Sequence, residues 1–123
     1  MVRLKSSTDF ERVRRDGRSH AHPLVVLLAR RRAPEETAPG GALVGATVTR
    51  IGFVAGKSVG SAVDRNRAKR LLREALRAWA PGLAPGWDVV LIARRPLAAS
   101  KLTEAKAALE PLLRRAKVLV PET

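Results

Sequence analysis

The stretch from Lys57 to Trp79, KSVGSAVDRNRAKRLLREALRAW, constrains this chain more than any other, because as a helix it carries two walls of opposite character. At about 100° of rotation per residue, Arg65, Lys69, Arg73 and Arg77 follow one another at i+4 steps, with Asn66 and Arg70 beside them. Ala68, Leu71, Leu72, Ala75 and Trp79 form the opposite wall. That oily wall needs an apolar surface to cover, and the runs Leu24 to Ala29 and Val89 to Ala93 supply one. The basic wall needs something else. Adjacent like charges cost an isolated helix a few tenths of a kcal/mol per pair, which an external polyanion offsets, and nucleic acid is the leading candidate.

The rest of the chain supports this choice. Lys and Arg number 24 against 11 Asp and Glu, a formal charge of +13 that exceeds what solubility requires and attracts polyanions at long range. With 46% hydrophobic residues the chain has the material for a core and does not read as a disordered basic tail. Zero cysteines exclude disulfides, thiolate catalysis and Cys-ligated zinc, and fit a reducing cytoplasm. The opening MVRLKSSTDF has no signal-peptide character, and no run approaches the roughly 20 apolar residues of a membrane span. A basic amphipathic helix can also lie on an anionic membrane, but here a core is present for it to cover.

Local signals divide the chain into one domain spanning residues 1–123. Ser7 to Arg15 reads as a helix capped by Ser7 or Thr8 and stopped at Gly17, with Phe10 and Val13 on its apolar side. Pro23 leads into LVVLLARR, a buried strand, and the preceding RSHAH reads as a short edge strand beside it. RAPEETAPGG is a surface loop, with 33–41 its most flexible part. ALVGATVTRIGFVA, 42–55, reads as one long or bulged strand or as a hairpin. Ser61 and Asp64 match a capping box, so the basic helix starts near Ser61 and ends by Ala80 ahead of Pro81 and Gly82. WDVVLIARR is a second buried strand, and Ser100 to Thr103 opens a last helix with Leu102, Ala105, Leu109 and Leu112 or Leu113 at helical spacing and Pro111 inside it. A loose tail is expected over 118–123. The order, helix, strands, basic helix, strand, helix, predicts helices packed on one sheet.

Catalytic groups are sparse. His20 and His22 would face the same side of a strand and could pair on a metal, but an exposed polar edge is the plainer account. Asp9, Glu11 and Asp16 fit helix ends and nearby arginines better than a Mg²⁺ site. Gly56-Lys57-Ser58 ends like a phosphate-binding loop without the leading glycine that the pattern requires. Gly52, Gly56 and Gly60 instead read as positions where the strand bends and RNA approaches the backbone. Two Phe, two Trp and no Tyr leave little aromatic surface for stacking bases. In the basic helix, by contrast, six of the thirteen residues from Arg65 to Arg77 are basic, and the planar fork of arginine matches phosphate oxygens.

The run from Asp64 to Ala75, DRNRAKRLLREA, resembles the signature helix of the bacterial ribonuclease P protein subunit. Arg3-Leu4, Asp9-Phe10, Val13 and Gly17 are similar to that family's opening, Gly52 to Gly60 to its pre-helix strand and turn, and Val90 to Pro96 to its strand ending in A-R-x-P. The resemblance implies an α+β fold, a four-stranded sheet flanked by three helices in the order α-β-β-β-α-β-α, ribosomal protein S5 domain 2-like, with a left-handed βαβ crossover around the basic helix. It implies a protein that binds a catalytic RNA and the 5′ leader of precursor tRNA and assists removal of that leader. It further implies that the Mg²⁺ ions are held mainly by the RNA, with no catalytic or metal-ligating residue expected in this chain.

By position the resemblance assigns RNA contact to Lys57, Ser58, Arg65, Asn66, Arg67, Lys69, Arg70 and Arg73. It assigns the leader to a cleft between the first helix and the sheet, with Phe10 and Val13 lining it and Arg14, Arg50 and Phe53 nearby. The expected partners are the ribonuclease P RNA and precursor tRNA, with no membrane and no obligate protein partner. Arg14 stands where many members carry a second aromatic residue, so electrostatic and cation–π contact takes over from stacking and leader affinity becomes more salt-sensitive. Two other readings compete: a ribosomal or chromatin-associated binder that tracks phosphates, and a protein-only metal nuclease using an acid such as Asp9 or Asp64.

Overall fold

Two apolar strands at the centre of one sheet organise the molecule. The computed structural model describes residues 2–4, 6–33 and 48–119. Strands β1 (Val2–Arg3), β2 (Arg18–Ala21), β3 (Val25–Arg31), β4 (Arg50–Val54) and β5 (Trp87–Ala93) line up in the order β1-β4-β5-β3-β2. β5 pairs antiparallel with β3 and parallel with β4, so both of its edges are paired, and with α2 (Ala62–Arg77) on one face and α1 (Ser7–Asp16) on the other its run of Val89, Val90 and Leu91 is buried. The expected edge strand RSHAH is β2, antiparallel to β3.

The sheet has five strands among the described residues, which corrects the expected four. Val2–Arg3 runs parallel to β4, held by Val2 N–H to Thr49 O (3.1 Å) and Leu4 N–H to Ile51 O (2.8 Å). Two residues are too few to display alternation. Three helices complete the fold: α1 (Ser7–Asp16), α2 (Ala62–Arg77) and α3 (Leu102–Arg115). The cap of α1 is Ser6, whose hydroxyl accepts the Thr8 amide at 3.2 Å, one residue earlier than expected.

α2 and α3 pack on each other and on the same sheet face, α2 over β4 and β5, α3 over β3 and β2. Val25, Leu27, Ile51, Val89 and Leu91 meet Leu72, Leu76, Leu109, Leu112 and Leu113 there in the main core. Fully burying a leucine contributes about 1.5–3 kcal/mol, so Leu72 and Leu76 alone outweigh the like-charge repulsion on the outside of α2. α1 takes the other face, where Leu4, Val13 and Val90 form a small second core.

The expectation of a loose tail over 118–123 fails at its first two residues. Val118 and Leu119 are buried; the Val118 carbonyl accepts the Ala84 amide at 2.6 Å, and Leu119 bridges to Leu83. Their apolar side chains close the core beyond the end of α3. Residues 120–123 lie outside the described residues, as do 34–41 of the expected loop and 42–47 of the expected long strand.

Candidate nucleic-acid interface

α2 is anchored at its start by reciprocal capping. The Asp64 amide donates to Ser61 Oγ at 3.2 Å and the Ser61 amide to Asp64 Oδ2 at 3.1 Å, the expected capping box. Gly60 precedes it at φ 139°, and a Cβ there would sit 2.5 Å from Asp64 Oδ2, so only glycine admits both the backbone turn and the carboxylate.

Ala68, Leu72 and Ala75 are buried as expected, with Leu71 and Trp79 packed partly buried against the same core, and Leu76 joins them, which turns the outward wall slightly. Asn66, Arg70 and Arg73 line a shallow surface groove with Val63, a valine that is 76% exposed. Arg65 and Lys69, placed at the centre of the wall from the sequence, are half-buried at its margin. The helical wheel locates a wall only to within a residue or so, and the neighbouring α3 decides which flank is covered. Arg67 lies exposed at the other margin, where its Nε donates to Ala98 O at 2.7 Å. Arg73 stands 5.8 Å above the Phe53 ring, a cation–π contact that orients it. Arg77 pairs with Glu74 at 3.4 Å.

The basic surface continues past the helix start. Lys57 and Ser58, both exposed in a 3₁₀ turn, share a groove with Gly60, Asp64 and Arg95. Ser58 and Arg95 also line an adjoining trough with Ile92 and Arg94. Arg94 and Arg95 were not among the expected contacts. The adjacent arginines of A-R-R-P carried the signal, because a proline after a buried strand marks its exit to the surface.

The expected leader cleft is rearranged. Phe10 lies on β4 at Gly52, where a Cβ would come within 2.6 Å of its ring. Gly52 therefore serves the approach of Phe10, not of RNA. Phe10, Leu28, Val54 and Ile92 stay half-buried around the second core and form an apolar strip on the α1 face. Ile92 connects it to the trough with Arg94 and Arg95. Val13 is fully buried and is floor, not lining. Phe53 is on the opposite face with the main core, because alternation along β4 sends Ile51 and Phe53 one way and Gly52 and Val54 the other. Arg14 is exposed on α1 and pairs with Glu11 at 3.7 Å.

Arg50 is no surface cation. It forms a bidentate pair with Asp88 (2.8 and 2.7 Å) and reaches Asp9 at 3.1 Å, while Arg32 meets the same Asp88 at 2.7 Å. Asp88 is 1% exposed. The hydrogen bond to Asp88 raises the pKa of Arg50 against the opposing effect of burial, so it stays charged. This network ties α1 to β4, β5 and the end of β3.

The acids among the described residues are engaged within the fold. Of the chain's eleven, Glu35, Glu36 and Glu122 lie outside the described residues. Each of the other eight has a guanidinium or backbone N–H partner: Asp9 and Asp88 in the buried network, Asp16 with Arg15, Asp64 at the cap, Glu104 with the Lys101 amide, and Glu11, Glu74 and Glu110 in i,i+3 or i,i+4 pairs. No cluster of three potential ligands occurs among the described residues. His22 Nδ1 accepts the Leu24 amide at 3.1 Å, a structural task that takes it away from a metal pair with His20.

Comparison with known proteins gives a consistent result. Residues 1–117 match the sequence profile of the family described as Ribonuclease P. The "Ribonuclease P protein component" of Roseiflexus castenholzii is 40% identical over 118 residues, 95% of this chain and 87% of that protein. The protein of the same name from Herpetosiphon aurantiacus is 40% identical over 116 residues, 94% and 85% of the two chains. Among solved structures, the Staphylococcus aureus RNase P protein superposes with a TM-score of 0.78 at 28% identity, covering 97% of this chain and 98% of that one. The Thermotoga maritima RNase P protein gives 0.73 at 27%, covering 94% and 97%.

Proposed function

The chain belongs to the ribonuclease P protein family, and from that premise we propose that it binds the family's catalytic RNA through α2 and the 5′ leader of precursor tRNA through the α1 face of the sheet. The observation that carries this reading is a set of exposed cations, Arg70 and Arg73 beside Asn66 on α2 and Lys57, Arg94 and Arg95 around two adjoining grooves at its start, on elements seated by a fully buried apolar core. A rigid array of guanidinium groups aligns phosphates without ordering itself first, which lowers the entropic cost of association.

The two ends of this surface have different chemistry. At α2, arginine and lysine groups neutralise backbone phosphates and release counterions. At the α1 face, Phe10, Leu28, Val54 and Ile92 offer bases an apolar strip, with Arg94 and Arg95 to meet the phosphates that follow. Arg14, beside Phe10 on α1, supplies charge in place of a second stacking ring.

The chemical step is assigned to the RNA. We assign the Mg²⁺ that the family implies to the RNA as well, a reading that the engagement of the eight described carboxylates with arginines or backbone amides supports, and the protein's work is then to position two RNAs. The reading carries the left-handed sense of the β4–α2–β5 crossover, the ribosomal protein S5 domain 2-like likeness and a cytoplasmic setting. The test is reconstitution with a bacterial ribonuclease P RNA at low Mg²⁺: precursor-tRNA cleavage should rise on adding protein, and more for a substrate with a full leader than for one trimmed to a nucleotide. No gain overturns the function; equal gain for both substrates overturns the leader assignment.

A further inference from the structure

At the sheet edge formed by β2, the end of β3 and the C-terminus of α3 enclose a trough lined by Arg18, His20, Arg31, Trp87, Arg115 and Lys117. Cross-strand partners share a face, and the pairs Arg18 with Ala29, His20 with Leu27 and Arg31 with Trp87 put these side chains on the α3 side of the sheet. α2 covers β4 and β5 while α3 covers β3 and β2, so the trough lies across α3 from the basic wall of α2.

Among the described residues its cations outnumber its one acid. Asp16, the acid on its wall, accepts from Arg15 Nε at 3.1 Å and faces Arg30 at 3.8 Å. Among the described residues, Arg18, Arg31, Arg115 and Lys117 form no ion pair, and all four are exposed. Cations near a helix C-terminus are ordinary, which accounts for Arg115 and Lys117. It does not account for Arg18 and Arg31, which come from strands.

Lys117 adds an independent observation. It follows α3 at φ 63°, the one non-glycine residue with positive φ among those described. Glycine or asparagine suits that position, where the Val118 amide closes the helix end onto Leu113 O at 3.0 Å. A strained lysine in place of an easy glycine points to a use for its ammonium group.

We propose that this trough holds the phosphodiester backbone of a second RNA segment, separate from the one on α2, so that the protein bridges two segments of the ribonuclease P RNA. The proposal rests on the reading that α2 binds that RNA. The partner is RNA because four cations with no ion pair among the described residues, along a trough beside a flat aromatic side chain, match a phosphate backbone with a base turned inward.

The test titrates the full chain with a bacterial ribonuclease P RNA over a range of salt. Arg18→Gln/Arg31→Gln/Arg115→Gln should lower the salt slope by about three ions and the affinity on the order of a hundredfold at 0.1 M salt, with circular dichroism unchanged. Arg65→Gln/Arg70→Gln serves as the α2 arm. A slope unchanged in the triple variant overturns the trough; loss in the α2 arm alone leaves the α2 reading standing, and loss in neither removes both. Lys117→Gly should raise Tm by a degree or so while weakening RNA binding about threefold, because glycine relieves the strain and removes one cation. A higher Tm with unchanged affinity counts against the proposal. A photocrosslinker at position 115 should mark nucleotides different from those marked from position 70, and identical nucleotides overturn the bridge.

Discussion

Two arginine-rich regions of this molecule do opposite things. On α2, Arg70 and Asn66 face outward and Arg73 stands over the ring of Phe53 with no ion pair among the described residues. On the far side of the sheet, Arg50 and Arg32 are drawn inside and neutralised by Asp9 and Asp88. A guanidinium keeps its charge in either place, so what separates the two is the carboxylate supply. Where acids are at hand, arginine stitches elements together; where they are absent, it awaits an anion from outside. The difference matters for function, because the buried group sets the seat of α1 over the apolar strip, while the exposed group makes the contact.

Removing the shared acid should break the comparison most severely. Asp88→Ala takes from the buried Arg32 the acid it shares and leaves Arg50 with Asp9 alone, and losing one partner of a buried pair costs about 3–5 kcal/mol. Urea unfolding should show that loss as a lower midpoint. A loss below about 1 kcal/mol would mean the network is solvated and α1 is seated by Val13 alone. The contrasting change, Arg65→Gln/Arg70→Gln, should leave the stability within about 0.5–1 kcal/mol of the parent, because Arg70 is exposed and the half-buried Arg65 has no ion pair among the described residues. Its effect appears in RNA binding, where the salt slope should fall by about two ions. An unfolding shift comparable to that of Asp88→Ala would erase the distinction.

Gly52→Ala probes the boundary between the two regions from the α1 side. The new methyl would meet the Phe10 ring at 2.6 Å, so the ring or α1 must shift, at a cost of about 1–3 kcal/mol typical of overpacking. Leader-dependent cleavage should weaken more than binding of the catalytic RNA. Equal weakening of both would indicate that α1 and α2 move as one unit.

What the sequence disclosed follows the same division. The capping box, the breaks after α2 and the two central strands are local patterns, and they appear where expected. β1 escaped notice because two residues show no period, and its pairing with β4 is a long-range event. The face of each residue on β4 depended on a register that the strand's mixed Gly and Thr content left open, which is why Phe53 was assigned to the wrong side. Arg50 was misread for a deeper reason: pairing with Asp9 and Asp88 joins residues from three distant segments, and a charged letter in a sequence carries no mark of its burial. Arg94 and Arg95 were visible as a pair but gained meaning only beside Lys57 and Ser58.

The smallest predicted effect tests whether the exposed wall depends on its own cap. Ser61 is exposed, and its hydroxyl satisfies one amide of the first turn of α2 while Asp64 satisfies another. Ser61→Ala should cost about 1 kcal/mol of stability, the usual loss for a cap. The seat formed by Ala68, Leu72, Ala75 and Leu76 starts two turns further on and is untouched, so Arg70 and Arg73 should hold their places. Lys57 and Ser58 lie before the cap and should not. The salt slope for RNA binding is therefore expected to drop by about one ion or less. A drop as large as that of Arg65→Gln/Arg70→Gln would show that the cap, and not the core, sets the position of the whole wall.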